Sequence, residues 1–135
     1  MPSIFSRIVS GEIPCYKVAE DEKFLAFLDI NPLAEGHTLV IPKQETDYLF
    51  DIEDEQYRDL WLFTKKVARA VESSVPCERI GLAVLGLEVP HAHIHVVPIN
   101  SVYDIDFSKP KLKLTEERFR ELAKKIGKAF SNNPQ

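Results

Sequence analysis

His91-Ala92-His93-Ile94-His95-Val96-Val97-Pro98 places three of the chain's four histidines within five residues. Side chains alternate between faces along a strand, so a strand over 91–99 sends His91, His93 and His95 to one side and Ala92, Ile94 and Val96 into the core. One face of a strand in the middle of a sheet is then all imidazole, where Val, Ile or Phe is the ordinary occupant. The residue types leave three readings open. The rings could be hydrogen-bonded groups on the sheet surface. They could hold a metal, because His-x-His on a strand presents two ligands. However, at about 3.3 Å per residue the outer pair lie roughly 13 Å apart, too far to share one ion with bonds of about 2 Å. Finally, they could work on phosphorus. A neutral imidazole is a nucleophile near pH 7 and can take up a phosphoryl or nucleotidyl group and pass it to water. That chemistry needs one ring nitrogen to attack while the other donates to a fixed acceptor, with further histidines at the phosphoryl oxygens and the leaving group. His37, on a nearby expected strand, is available as a fourth imidazole.

Upstream of the histidines, Arg79 to Leu87 is apolar on both faces, as in a central strand or one that meets a partner, and with 91–99 it is expected to supply the middle of the sheet. Between Asp54 and Ser74, Leu60, Trp61, Thr64, Val67, Ala68 and Val71 recur at threes and fours, which predicts a helix covering one sheet face. Tyr16 to Ala19 and Lys23 to Asp29 read as strands around the turn Glu20-Asp21-Glu22. The turn formers from Asn31 to Gly36 lead into a strand from His37 to Ile41, stopped by Pro42. Ser3 can cap a first helix carrying Ile4, Phe5, Ile8 and Val9, which Gly11 ends. Thr115 caps a last helix over about 115–131, with Phe119, Leu122, Ala123, Ile126 and Phe130 on one stripe. After Ser131 the tail is expected to fray. The chain is α+β, and residues 1–135 are expected to form one domain.

Composition narrows the function classes. With 135 residues, 44% hydrophobic and 28% charged, the chain suits one soluble domain burying roughly two thirds of its unfolded surface. No apolar run approaches the roughly 20 residues of a membrane span, and the first twenty residues have no secretory pattern, so a cytoplasmic location and no membrane partner are expected. Cys15 and Cys77 lack C-x2-C neighbours, so spacing makes them neither a zinc knuckle nor a redox pair. Seventeen basic and 21 acidic residues give a net charge of −4, which argues against nucleic acid as a partner. Residues 101–135 are locally basic, with eight basic and five acidic side chains, the pattern of a solvated helix face.

His91-Ala92-His93-Ile94-His95-Val96-Val97 resembles the alternating signature of the histidine triad (HIT) superfamily of nucleotide hydrolases and transferases. Ile4-Phe5-Ser6-Arg7-Ile8-Val9, Gly11-Glu12-Ile13-Pro14, Ala26 to Pro32 and Gly36 to Lys43 are similar to successive blocks of its purine nucleoside phosphoramidase branch. The likeness runs from about Ser3 to Ile99. It implies a HIT-like fold: a five-stranded antiparallel sheet with a long helix after the third strand and a C-terminal helix, in a homodimer. It also implies a purine nucleotide substrate and no cofactor. His93 would be the nucleophile. His95 and His37 would hold the α-phosphate and assist the leaving group, and His91 would orient the centre. Asp29 would accept from the ribose hydroxyls, which suits a carboxylate, and Phe5, Ile8, Phe27 and Ile30 would wall the base pocket. Gly86 and Glu88, in a shortened loop before the triad, would complete the substrate-binding set. In that loop Leu87 stands where relatives carry Gln, which bears on phosphate contacts and on leaving-group preference.

Many relatives also build a structural zinc site from a C-x2-C in the first helix and a His after the Ile-Pro-Lys block. Ser3, Ser6 and Glu45 occupy those places here, and no metal is expected. The resemblance implies hydrolysis of purine nucleoside 5'-phosphoramidates through a nucleotidyl-histidine. Cleavage of dinucleoside polyphosphates, or nucleotide binding with negligible turnover, are the alternatives.

Overall fold

The computed structural model describes residues 2–132. β1 (Lys17–Glu20), β2 (Phe24–Leu28), β3 (Thr38–Pro42), β4 (Arg79–Ala83) and β5 (Ile94–Ile99) form one sheet in the order β1-β2-β3-β5-β4. Every neighbouring pair is antiparallel. β2 and β3 are buried along their whole lengths, so apolar layers cover both faces. On one face Phe24, Ala26, Leu28, Val40, Ile94 and Val96 meet the long helix α2 (Asp54–Ser74) and the C-terminal helix α3 (Glu116–Asn132). On the other, Leu25, Phe27, Leu39 and Ile41 form a smaller core with Phe5 of the short helix α1 (Ile4–Val9). The division follows from the two-residue period of a strand.

The helix ends follow the expected chemistry. Ser3 Oγ accepts from Ser6 N–H at 3.0 Å, and Thr115 Oγ1 accepts from Arg118 N–H at 3.0 Å, each satisfying a donor that helix geometry leaves free. Gly11, just beyond α1, has φ +86°. On α2 the buried positions are Leu60, Phe63, Thr64, Val67, Ala70, Val71 and Ser74, whereas Trp61 and Ala68 are only partly buried. The stripe is rotated from the expected one because α3 packs beside α2, setting Phe63 5.6 Å from Phe130 between ring centroids. The expected fraying after Ser131 lies largely outside the described residues. No helix among the described residues is long and apolar enough to cross a membrane.

Two expectations need correction. β5 begins at Ile94, not His91, and β4 ends at Ala83 on the sheet edge, so only β5 of this pair lies inside the sheet. The ladders stop at Val40↔Ile94 and Ala83↔His95. Just upstream, Ala92 N–H donates to Thr46 O at 2.7 Å and His91 N–H to Val89 O at 2.8 Å. These donors are therefore committed to a loop, and the straight-strand spacing of the three histidines does not apply. Alternation of sides nevertheless persists, with Ala92 in the helical core and Phe5 of the opposite layer against the rings of both His91 and His93. As an edge strand in this single chain, β4 leaves Leu82 exposed.

The entry to β3 depends on Gly36, which has φ +91° and where a Cβ would lie 2.8 Å from Val75 Cγ2. A side chain there meets both backbone strain and a packed wall of α2. Gly36→Ala is expected to lower unfolding free energy in urea by about 2 kcal/mol, and loss below about 0.5 kcal/mol would show that this turn is not tight.

Candidate active site

Three backbone groups determine where the histidine protons sit. Leu33 N–H donates to His37 Nδ1 at 3.0 Å, so neutral His37 carries its proton on Nε2. That atom lies 3.0 Å from His95 Nδ1. His95 Nδ1 therefore accepts, and the proton of neutral His95 is on Nε2. In the second chain of bonds, His93 Nδ1–H donates to the carbonyl oxygen of His91 at 2.8 Å, which leaves the lone pair of His93 on Nε2. His91 donates from Nε2 to Pro42 O at 2.7 Å and accepts at Nδ1 from Ser3 Oγ at 2.8 Å. The centroids of His93 and His95 are 5.0 Å apart.

Burial favours the neutral form of each ring that it perturbs. It pulls His37 down to about 3, with His95 and then Lys111 adding repulsion. It pulls His95 down to about 4, with a smaller contribution from His93. His91 is also lowered by burial, against the opposing pull of its bond to the Pro42 carbonyl. The Asp29 carboxyl is raised by burial, and the Asn31 N–H that it accepts works against the shift.

His93 and His95 open onto a cleft of about 760 Å³, whereas His37 and His91 stand behind them, almost wholly buried. Asp29, Phe5, Ile8, Phe27 and Ile30 line the same cleft, as do Gly86 and Glu88. Phe5 and Phe27 also belong to the smaller core, and Ile30 is 64% exposed at the mouth. Thus every residue singled out from sequence either lines this cleft or stands directly behind it. Sequence reasoning missed Phe107, whose ring lies 4.6 Å from that of His95, and Lys111, which lines the cleft from the same segment. That segment, 101–114, has no regular secondary structure and so no periodicity to reveal them. Its two aromatics, Tyr103 and Phe107, stand among scattered apolar and charged residues with nothing in their spacing to set Phe107 apart.

Among the described residues, Asp29, His37 and His95 are the one set whose donor atoms cluster closely enough for a metal. Asp29 Oδ2 is 3.6 Å from His37 Nε2. The fit fails on the proton, because Leu33 N–H occupies His37 Nδ1 and the atom facing the would-be ion is the protonated Nε2. Ser3, Ser6, Glu45 and His91 adjoin one another, but two neutral hydroxyls are poor zinc ligands beside thiolate or imidazole.

Residues 10–102 match the HIT domain family model. The chain is 36% identical over 129 residues to the adenosine 5'-monophosphoramidase of Schizosaccharomyces pombe, covering 93% of this chain and 96% of that protein. A HIT-like protein from Bartonella henselae has a similar solved structure, with TM-score 0.82, 32% identity and coverage of 94% and 95%. A zinc-bound histidine triad protein from Mycobacterium smegmatis gives TM-score 0.79 at 32% identity, with coverage of 95% and 92%.

The depressed histidines have a consequence for stability. Their neutral forms are favoured in the folded state, so the stabilisation is complete above the unfolded value of about 6.5 and is lost as pH falls toward 4 and 3. Between pH 6.5 and 4, His37 alone is expected to account for about 3 kcal/mol of lost unfolding free energy. Urea titrations across that range should therefore be flatter for His37→Gln than for the native chain, and equal slopes would refute the assignment.

Proposed function

The chain belongs to the HIT family, and from that footing we propose that it hydrolyses purine nucleoside 5'-phosphoramidates through a covalent nucleotidyl-His93. The observation that carries the reading is the bond from His93 Nδ1–H to the His91 carbonyl, which leaves Nε2 as a lone pair next to His95 in the cleft. The S. pombe relative's name, adenosine 5'-monophosphoramidase, points to the same chemistry.

In this reading the apolar walls Phe5, Ile8, Phe27 and Ile30 take the base, and Asp29 accepts from the ribose hydroxyls. Gly86 and Glu88 face the phosphate end. His93 Nε2 attacks the α-phosphorus and the P–N bond breaks. His95 gives the departing nitrogen its proton. Burial, with a smaller contribution from His93, holds His95 neutral down to about pH 4, so His95 takes up that proton from solvent only when the substrate's phosphoryl anion lies against its ring. Water then adds to phosphorus, its proton returns to His95, and His93 leaves as neutral imidazole. In the resting state His37 fixes the neutral His95 ring through the 3.0 Å contact, a bond that opens while His95 carries its second proton on Nδ1, and His91 holds His93 through its carbonyl. The sum is one water consumed, with nucleotide and amine released. No step requires a metal.

Lys111 supports a second reading, cleavage of dinucleoside polyphosphates, because a cation in the cleft suits an anionic leaving group. The exposed edge of β4 supports assembly of two copies edge to edge along that strand. Sedimentation at micromolar concentration should give a dimer, and a purely monomeric profile counts against it.

The decisive experiment measures AMP release from adenosine 5'-phosphoramidate, with chelator present. His93→Ala is expected to lower kcat at least about 1,000-fold while retaining AMP affinity, and acid quenching of the native reaction should trap an adenylylated His93. Undiminished turnover in His93→Ala would sink the mechanism. Absence of turnover in the native chain, with AMP still bound, would instead favour a different leaving group or a binding protein.

A further inference from the structure

We propose that Ser3, Ser6 and Glu45 form a metal-free hydrogen-bonded clamp that sets the tautomer of His91 and, through the His91 carbonyl, the aim of His93. These are positioning residues, and the kinetic consequence rests on His93 being the nucleophile.

The proton inventory carries the inference. Glu45 Oε1 accepts from Ser3 N–H at 2.7 Å and from Ser6 Oγ at 2.7 Å. Ser3 Oγ accepts from Ser6 N–H at 3.0 Å, which leaves its single proton for His91 Nδ1 at 2.8 Å. Ser6 Oγ is 3.4 Å from the same nitrogen, but its proton is already given to Glu45. His91 then places its own proton on Nε2, toward Pro42 O at 2.7 Å. Every proton is used once and in one direction. The other tautomer would leave the buried Pro42 carbonyl without a donor and would turn Ser3 Oγ from a donor to His91 into a second-time acceptor whose own proton must turn elsewhere, which is costly around the completely buried His91 ring. The donors to Glu45 hold its carboxyl down to about 2, so the acceptor stays ionised.

Geometry extends the clamp to the reacting ring. His91 is completely buried. Its ring is gripped at both nitrogens, its N–H donates to Val89 O at 2.8 Å, and the following N–H donates to Thr46 O at 2.7 Å. The carbonyl between those groups is therefore immobilised, and it is the acceptor for His93 Nδ1. The same clamp anchors the start of α1, whose Phe5 ring lies 5.0 Å from the ring of His93. A cation could not substitute without displacing the protons of Ser3 and Ser6 from their acceptors. This chain therefore does by hydrogen bonding what a zinc ion would do with thiolate and imidazole ligands.

Ser3 also caps α1, so the test must separate capping from positioning. Glycine is a helix cap within a few tenths of a kcal/mol of serine but offers no donor to His91, which makes Ser3→Gly the informative variant. Imidazole ¹⁵N spectra of the native chain are expected to show His91 protonated at Nε2 and His93 at Nδ1. In Ser3→Gly and in Glu45→Ala the His91 signals should move toward a tautomer mixture. Their kcat for adenosine 5'-phosphoramidate should fall about tenfold, the scale of a lost orienting partner, with AMP affinity within about twofold. Unchanged His91 signals in Ser3→Gly would overturn the clamp, as would one equivalent of zinc in the purified native chain whose removal scrambles the His91 tautomer. The spectra decide this even if the native chain shows no turnover, an outcome that would count only against the phosphoramidase reading.

Discussion

A single hydrogen bond, from His93 Nδ1 to the carbonyl oxygen two residues upstream, organises the centre of this molecule. For a side chain to reach back to that carbonyl, the backbone at His91 must leave the regular ladder, and β5 accordingly starts only at Ile94. The freed amides find other acceptors at Thr46 and Val89, because buried donors cannot be left without partners. What looks like an imperfect strand end is thus what exposes one imidazole lone pair to the cleft while holding the rest of that ring still.

The neighbouring rings obey the same economy of protons. His37 and His91 are sealed from solvent, and burial keeps both neutral. A neutral imidazole has one donor and one acceptor nitrogen. Once Leu33 N–H faces His37, Pro42 O and the Ser3 hydroxyl face the two nitrogens of His91, and the His91 carbonyl faces His93, the direction of each hydrogen bond follows. These directions run outward from backbone groups to His95 and His93, so the rigid sheet, rather than solvent, governs which atoms confront a ligand.

Support for this arrangement comes from the unequal layers of the sheet. The large helical core on one face holds Ile94 and Val96 fully buried, which anchors β5 from behind. The smaller layer around Phe5, Phe27 and Leu39 leaves space for a cleft above the histidines. Phe5 and Phe27 serve both packing and the cleft wall, because the open face is too thin to separate the two tasks.

Much of this was legible from residue order. The alternation of His91, Ala92, His93, Ile94 and His95 determined which side chains share a face, and it held even where the ladder did not. The capping residues Ser3 and Thr115 and the periodicity of α2 marked helices close to where they lie, His37 was recognisable as a fourth imidazole on a nearby strand, and Asp29 came into view only through the family resemblance. Period-based reasoning depends only on local geometry, so it survives. The position of β4 at the edge, the approach of Phe107 and Lys111 to the cleft, and the clamp joining Ser3 to His91 were decided by tertiary structure. Each joins segments through contacts that leave no period in the sequence: Ser3 and His91 are separated by 88 positions, and their pairing exists only because α1 and the segment before β5 pack on the same face of the sheet.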